Sequence, residues 1–161
     1  MCLQKCLPVL LTALAAVVLL NGCSQRGPVT HEQAYAALQE VYSTGNNSYF
    51  TSLLSHNSIR YVRKISLAIS RLEGKSKDHM AKKFGLKTEL LENMSPNGYL
   101  KLYLALNSSH SKDIIAQSLE NAPVEVLQNG DHVCYRMPNN VVLYFIQEKP
   151  YWKFDLERTV R

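Results

Sequence analysis

Histidine and cysteine are the residue types in this chain that could support metal binding or nucleophilic catalysis. No two histidines are four residues apart, although a helical zinc site usually needs that spacing. The five histidines are His31, His56, His79, His110 and His132. Their spacing therefore gives no support for a metal site.

His132 and Cys134 are the only histidine and cysteine that lie close together in the sequence. Alternate residues of a strand share a face, so the pair could in principle form an activated thiolate. No third group that would orient the histidine is evident. The plainer interpretations of Cys134 are a buried, small apolar residue or a free thiol that pairs between chains. Because the chain also lacks a G-x-S-x-G motif and a glycine-rich phosphate loop, we predict a protein that is not an enzyme and uses no cofactor.

An apolar segment near the N-terminus predicts export from the cytoplasm. It runs from Leu7 to Leu20 without a charge and follows a start whose one positive side chain is Lys5. Its fourteen residues are fewer than the roughly 20 that a membrane-spanning helix needs. These features are typical of a signal peptide over residues 1–22, and the alternative is an anchor that is never cleaved.

The apolar segment ends in Leu20-Asn21-Gly22-Cys23, which resembles the lipobox of bacterial lipoproteins. The resemblance implies cleavage after residue 22 and attachment of lipid to Cys23, giving a cell-membrane protein that faces the periplasm. Two or three acyl chains would make that attachment stable. Ser24 stands where an aspartate retains enterobacterial lipoproteins on the inner membrane, which favours the outer membrane. Residues 23–29 would then be the lipidated cysteine and a short tether.

Positive charge is concentrated in the middle of the chain, where nine basic and two acidic residues lie between Arg60 and Lys87. We predict a helix over residues 58–73, ended by Gly74, in which one face is apolar and buried. The buried face comprises Ile59, Val62, Ile65, Ile69 and Leu72. The opposite face comprises Arg60, Arg63, Lys64 and Arg71. This basic face is a candidate docking surface for an acidic envelope protein or anionic lipid headgroups, and a merely solvated face is the alternative. A nucleic-acid partner is not expected outside the cytoplasm.

The elements that must position these residues are predicted to be helices first and strands last. Thr30, followed three residues later by Gln33, has the capping-box pattern of a helix start. From Ala122 onward, four segments with strand character are separated by turn signals; they are PVEVLQ, HVCYRM, VVLYFIQ and YWKFDL. The third is apolar on both faces, which favours an interior strand. We therefore predict one α+β domain over residues 30–161, with N-terminal helices packed on an antiparallel meander of three to four strands.

The C-terminal segment resembles small exported lipoproteins of the cystatin-like, nuclear-transport-factor-two-like class. The resemblance is carried by Gly130-Asp131-His132-Val133 and Trp152-Lys153-Phe154-Asp155. It implies a cone-shaped fold whose apolar concavity could hold a partner or small ligand. The residues expected to line it are Tyr103, Tyr135, Tyr144, Trp152 and Phe154, which could instead be core. We predict a non-catalytic binding or accessory module of the cell envelope. The alternative is a small-ligand carrier or an isomerase-like enzyme.

Overall fold

The computed structural model describes residues 27–109 and 114–160. The predicted signal peptide, Cys23 and most of the tether lie outside these residues, as does His110. In the described part, seven helices come first. They are α1 (His31–Thr44), α2 (Asn47–Leu53), α3 (His56–Ser70), α4 (Gly74–Phe84), α5 (Thr88–Glu92), α6 (Pro96–Ser109) and α7 (Ile114–Leu119). Four strands follow, with a short helix at the end. They are β1 (Glu125–Asn129), β2 (His132–Arg136), β3 (Val142–Glu148), β4 (Tyr151–Phe154) and α8 (Leu156–Thr159).

The four strands form one antiparallel sheet in the order β1-β2-β3-β4. This arrangement confirms the predicted α+β class and places β3, whose residues are apolar on both faces, between two neighbours. The first hairpin closes through Gly130 and Asp131, and Gly130 has a φ of +61°. A positive φ is the reason for glycine at this turn position, because other residues rarely adopt it.

The hydrophobic core lies between the inner face of the sheet and helices α1, α2 and α6. Its centre is aromatic, and the fully or nearly fully buried rings are Phe50, Tyr135, Phe145, Trp152 and Phe154. Helix α1 begins as predicted, because the Thr30 side chain accepts a hydrogen bond from the backbone N–H of Gln33. Near the start of helix α6, the Ser95 hydroxyl accepts a hydrogen bond from the N–H of Gly98. Local capping thus orients the helices that cover the sheet.

Two predicted boundaries were wrong. Helix α3 ends at Ser70, and Gly74, expected to terminate it, is instead the first residue of α4. The last strand ends at Phe154, so Leu156 does not continue its inner face. Asp155 caps α8 by accepting from the N–H of Arg158, and the chain turns into that helix. Capping chemistry therefore overrides the alternating pattern of YWKFDL.

The predicted apolar face of α3 is only partly correct. Of its five members, Val62 is buried, while the other four are half-buried. Ser58 and Ser66 are buried about as completely as Val62, although both are polar. Ser66 satisfies its hydroxyl by donating to the carbonyl of Arg63 within the same helix. Small hydroxyl side chains can occupy buried helix positions when their polar atoms find partners in this way.

Candidate functional site

The exposed cations of α3, α4 and their connections form the feature that we call the basic surface. It comprises Arg60, Arg63, Lys64, Arg71, Lys75, Lys82, Lys83 and Lys87, all of them exposed. The four members predicted from α3 are among them. None of the eight forms an ion pair with a residue in the described ranges, whereas nearby Lys77 is paired with Glu92 at 3.1 Å. The basic surface therefore carries positive charge that the described part of the domain does not neutralise.

A groove of about 590 Å³ runs along one side of α4. We call it the α4 groove, and it is lined by Leu72, Lys75, Ser76, His79, Met80, Lys83 and Phe84. Six of these residues are spaced so that they fall on a single helical face, in the rows 75, 79, 83 and 76, 80, 84. The ammonium group of Lys83 lies 5.4 Å from the centre of the Phe84 ring. Apolar and cationic side chains thus share one exposed face, which suits an amphiphilic anionic surface.

The five residues of the predicted apolar pocket do not come together. Tyr135, Trp152 and Phe154 are buried in the core, and Tyr103 packs against that core. Tyr144 lies on the opposite face of the sheet, since it is paired with Cys134 while Tyr135 is paired with Leu143. The sheet itself therefore separates Tyr144 from the other four residues, and one cavity cannot be lined by all five.

His132 and Cys134 share the outer face of the sheet, as their spacing predicted. They line a shallow groove of about 220 Å³ together with Leu127, Tyr144 and Arg158. His132 is close to Asp131, at 3.4 Å, and the Arg158 guanidinium stacks 4.3 Å from the Tyr144 ring centre. Cys134 is half-buried, between Leu127 and Tyr144 on the neighbouring strands.

A buried polar cluster joins the start of α3 to the end of β4, and sequence reasoning missed it. The hydroxyls of Ser55 and Ser58 lie 2.8 Å apart, and Ser58 also donates to the Asp155 carboxylate at 3.3 Å. Asp155 accepts in addition from the N–H of Arg158. The signal available in the sequence was a cap-forming residue before each helix, Ser55 before α3 and Asp155 before α8. The cluster links the N-terminal caps of α3 and α8, so we assign it a structural role.

Two ionisable groups of the sheet strands have shifted pKa values. Burial raises the pKa of Tyr135 to about 12, with smaller contributions from the negative charge of Glu32 and from Tyr35. The Tyr135 hydroxyl lies 2.7 Å from the Nδ1 atom of His31. Burial also lowers the pKa of Lys153, whose ammonium group donates to the Ser52 carbonyl at 2.6 Å. Both shifts follow from packing, and neither group faces the α4 groove.

Within residues 27–109 and 114–160, no group of three or more His, Cys, Asp or Glu side chains is placed to hold a metal ion. Across the same ranges, no helix combines the length and apolarity needed to cross a membrane. Comparisons with models of protein families, with curated proteins and with solved structures each found no match.

Proposed function

We propose that this chain is a bacterial lipoprotein whose domain binds an anionic membrane surface and does not catalyse a reaction. Lipid on Cys23 anchors it to the cell membrane, on the periplasmic side and in the outer membrane. The observation that carries the binding role is the basic surface, whose eight exposed cations have no acidic partner among the described residues. Uncompensated charge of one sign attracts an oppositely charged surface.

The α4 groove favours lipid over an acidic protein as the partner. Cations alone would suit either, but here Lys75 and Lys83 border apolar side chains that include Met80 and Phe84. Helices that rest in the headgroup region of a bilayer combine basic and apolar residues in this manner. Each Lys or Arg near such a surface contributes about 1 kcal/mol before salt screens it.

The proposed anchor and the basic surface would reinforce each other. A tether of residues 23–29 spans roughly 20 Å when extended, so the domain would remain close to the membrane. That proximity raises the effective concentration of headgroups around the basic surface, and weak contacts then suffice. The alternative of a small-ligand carrier or isomerase-like enzyme is less well supported, since the residues proposed for its pocket lie on both faces of the sheet.

The anchor is tested by changing Cys23→Ser in the full-length chain. Loss of the thiol should prevent lipid attachment and leave a larger, unprocessed precursor, because only the thiol accepts the lipid in the proposed scheme. Labelling with a radioactive fatty acid and gel mobility measure both effects. Normal processing and labelling of the variant would exclude Cys23 as the lipidation site.

The binding role is tested with a soluble form that begins at Ser24, once its cooperative unfolding has been checked. Changing Lys75→Gln and Lys83→Gln should weaken sedimentation with vesicles that contain phosphatidylglycerol, and added salt should weaken it further. The matched control is Lys101→Gln with Lys149→Gln, which removes two exposed charges outside the basic surface. Equal loss in both pairs would mean that only net charge matters. Binding to an acidic envelope protein but not to vesicles would replace lipid by protein as the partner.

A further inference from the structure

The two edges of the sheet are finished differently. At the β4 edge, the N–H of Trp152 donates to the carbonyl of Pro28, and the N–H of Ser55 donates to the carbonyl of Phe154. Leu54 adds a parallel bridge to the same strand. At the opposite edge, β1 pairs with β2 on one side, and no strand in the described ranges pairs with its other side. One edge is thus covered by the chain, and the other is open.

The backbone of β1 presents hydrogen-bonding groups to this open edge. His132 and Ile146 are a non-hydrogen-bonded pair between β2 and β3, because the adjacent Gln147 N–H donates to the Asp131 carbonyl. The N–H and C=O of His132 therefore point toward β1, where Asn129 lies opposite. Alternation along the strand then turns the corresponding groups of Val126 and Gln128 outward, away from β2.

The side chains of this edge are unusually apolar for a solvent-exposed edge strand. Val124, Val126 and Leu127 are 62%, 44% and 54% exposed, a cluster of large apolar residues at consecutive or nearly consecutive positions. Proteins commonly protect an open edge with lysine, proline or an unpaired charge within the strand. β1 contains neither lysine nor proline, and its one charge, on Glu125, is paired with Arg136.

We propose that β1 pairs in antiparallel fashion with β1 of a second copy of this chain, forming a dimer with a continuous eight-stranded sheet. The two-fold axis passes beside Leu127. Val126 then lies opposite Gln128 of the second copy, and their outward backbone groups form four hydrogen bonds across the interface. This partner is favoured because the strand is complementary to itself in this register.

Side-chain pairing across the axis supports a second copy over an unrelated strand. Leu127 meets Leu127 of the second copy, which covers the most protruding apolar group of β1. Glu125 lies opposite Asn129 of the second copy, so no like charges face each other. Two neighbouring registers are less favourable. With Val126 on the two-fold axis, Leu127 would lie opposite Glu125 of the second copy, and with Gln128 on the axis it would lie opposite Asn129.

Disulfide trapping in the full-length protein, in solubilised membranes, tests this register. Leu127→Cys is made with Cys134→Ser to remove the neighbouring thiol. Non-hydrogen-bonded pairs have Cα atoms about 4.5 Å apart, within the range that a disulfide spans. We expect rapid oxidation to a dimer. Asn129→Cys in the same background is the control, because the two-fold axis places the two copies of that position about 13 Å apart along the strands. Equal trapping at both positions, no trapping at either, or adducts with another protein would overturn the proposal.

A charge test gives an independent outcome without a crosslink. Val126→Lys with Gln128→Lys places lysine opposite lysine across the axis, and we expect at least a tenfold loss of dimer affinity by analytical ultracentrifugation. Val126→Lys with Gln128→Glu places opposite charges in both pairs, and dimerisation should be retained. Both variants change exposed edge positions, so each monomer should keep its fold, and circular dichroism checks this. Monomers from both variants, or from the unmodified protein, would contradict pairing through β1.

Discussion

The domain has two regions that are stabilised in different ways. One is the sheet with helices α1, α2 and α6, which we call the sheet half, and the other is the α4–α5 segment. In the first, rings such as Phe145 and Phe154 pack 5.5 Å apart within a continuous core. In the second, the buried side chains are Ala81 and Leu91, and both lie outside that core cluster. Segments with little buried apolar surface open at lower free-energy cost than core elements.

This difference separates stability from the proposed binding role. The sheet half contains the aromatic centre of the core, whereas the α4–α5 segment exposes cations and the α4 groove. Substitutions in the first region should therefore change the free energy of unfolding. Substitutions in the second should change association with little effect on folding.

Truncation of the single tryptophan should have the largest effect. Trp152 is buried and contacts the His31 ring edge-on at a centroid distance of 5.5 Å. Trp152→Ala should cost about 3–5 kcal/mol, since the cavity left in a packed core adds to the lost burial. Urea unfolding followed by far-ultraviolet circular dichroism measures it. Phe84→Ala, which truncates an aromatic side chain of the α4 groove, is the control and should change stability by less than about 1 kcal/mol. Similar losses for both would remove the contrast between the regions.

Removal of the buried carboxylate should have the next largest effect. Asp155→Ala leaves the Ser58 hydroxyl without one acceptor and the first turn of α8 without its cap. Loss of a helix cap costs about 0.5–2 kcal/mol, and the lost hydrogen bond to a carboxylate adds to it, while Ser58 keeps its contact with Ser55. Glu92→Gln, which weakens the exposed pair with Lys77, should cost less than about 1 kcal/mol. Chemical denaturation of both variants provides the measurement. A larger loss for Glu92→Gln would show that the α4–α5 segment depends on its ion pair more than its burial suggests.

Alkaline titration tests the burial of Tyr135. Its pKa is raised to about 12 in the folded protein, while an unfolded tyrosine loses its proton near 10. The contribution of the neutral Tyr135 phenol to the free energy of unfolding is fully present below pH 10. It is lost as the pH rises from 10 toward 12, because the unfolded state releases the proton first. Tyr135→Phe should therefore unfold with a weaker dependence on pH in this window, as measured by urea midpoints at several alkaline pH values. Parallel pH profiles for the two proteins would mean that the phenol is not buried as described.

The sheet was predictable from the sequence because its determinants are local. Turn signals around Gly130 and the alternation of HVCYRM specify hairpins without reference to the rest of the chain. The same reasoning failed where a side chain has distant partners. Ser58 is a polar residue and would be expected on the surface. It is buried instead, because its hydroxyl donates to Asp155, which is 97 residues away in the sequence. No periodicity within α3 could have indicated that contact.

The candidate site was predicted in part for a similar reason. Helical spacing predicts the exposure of Arg60 and Arg63 within α3, and both side chains are exposed. The α4 groove was not anticipated, because it depends on how Leu72, in the connection after α3, lies beside Met80 and Phe84. The residues of the predicted pocket were selected because they are aromatic, without regard to the face of the sheet on which each one lies. The pairing of Cys134 with Tyr144 assigns Tyr144 to the outer face, away from the other four residues.

The smallest change in stability is expected from the three cations of α3 together with Arg71, which caps its C-terminus. Arg60, Arg63, Lys64 and Arg71 are exposed and form no ion pair with a described residue. The Arg60 guanidinium donates a hydrogen bond to the side-chain oxygen of Asn57. Changing all four to Gln removes the repulsion among these cations as well as this hydrogen bond. Substitution of an exposed residue rarely changes the free energy of unfolding by more than about 0.5 kcal/mol. Urea midpoints should therefore be nearly unchanged at high salt, where charges are screened over about 3 Å, and unchanged or slightly raised at low salt. Vesicle binding of the same protein should fall, since the lost charges lie on the basic surface. A marked loss of stability at both salt concentrations would show instead that these side chains hold α3 in place, and the two regions would then differ less than their packing indicates.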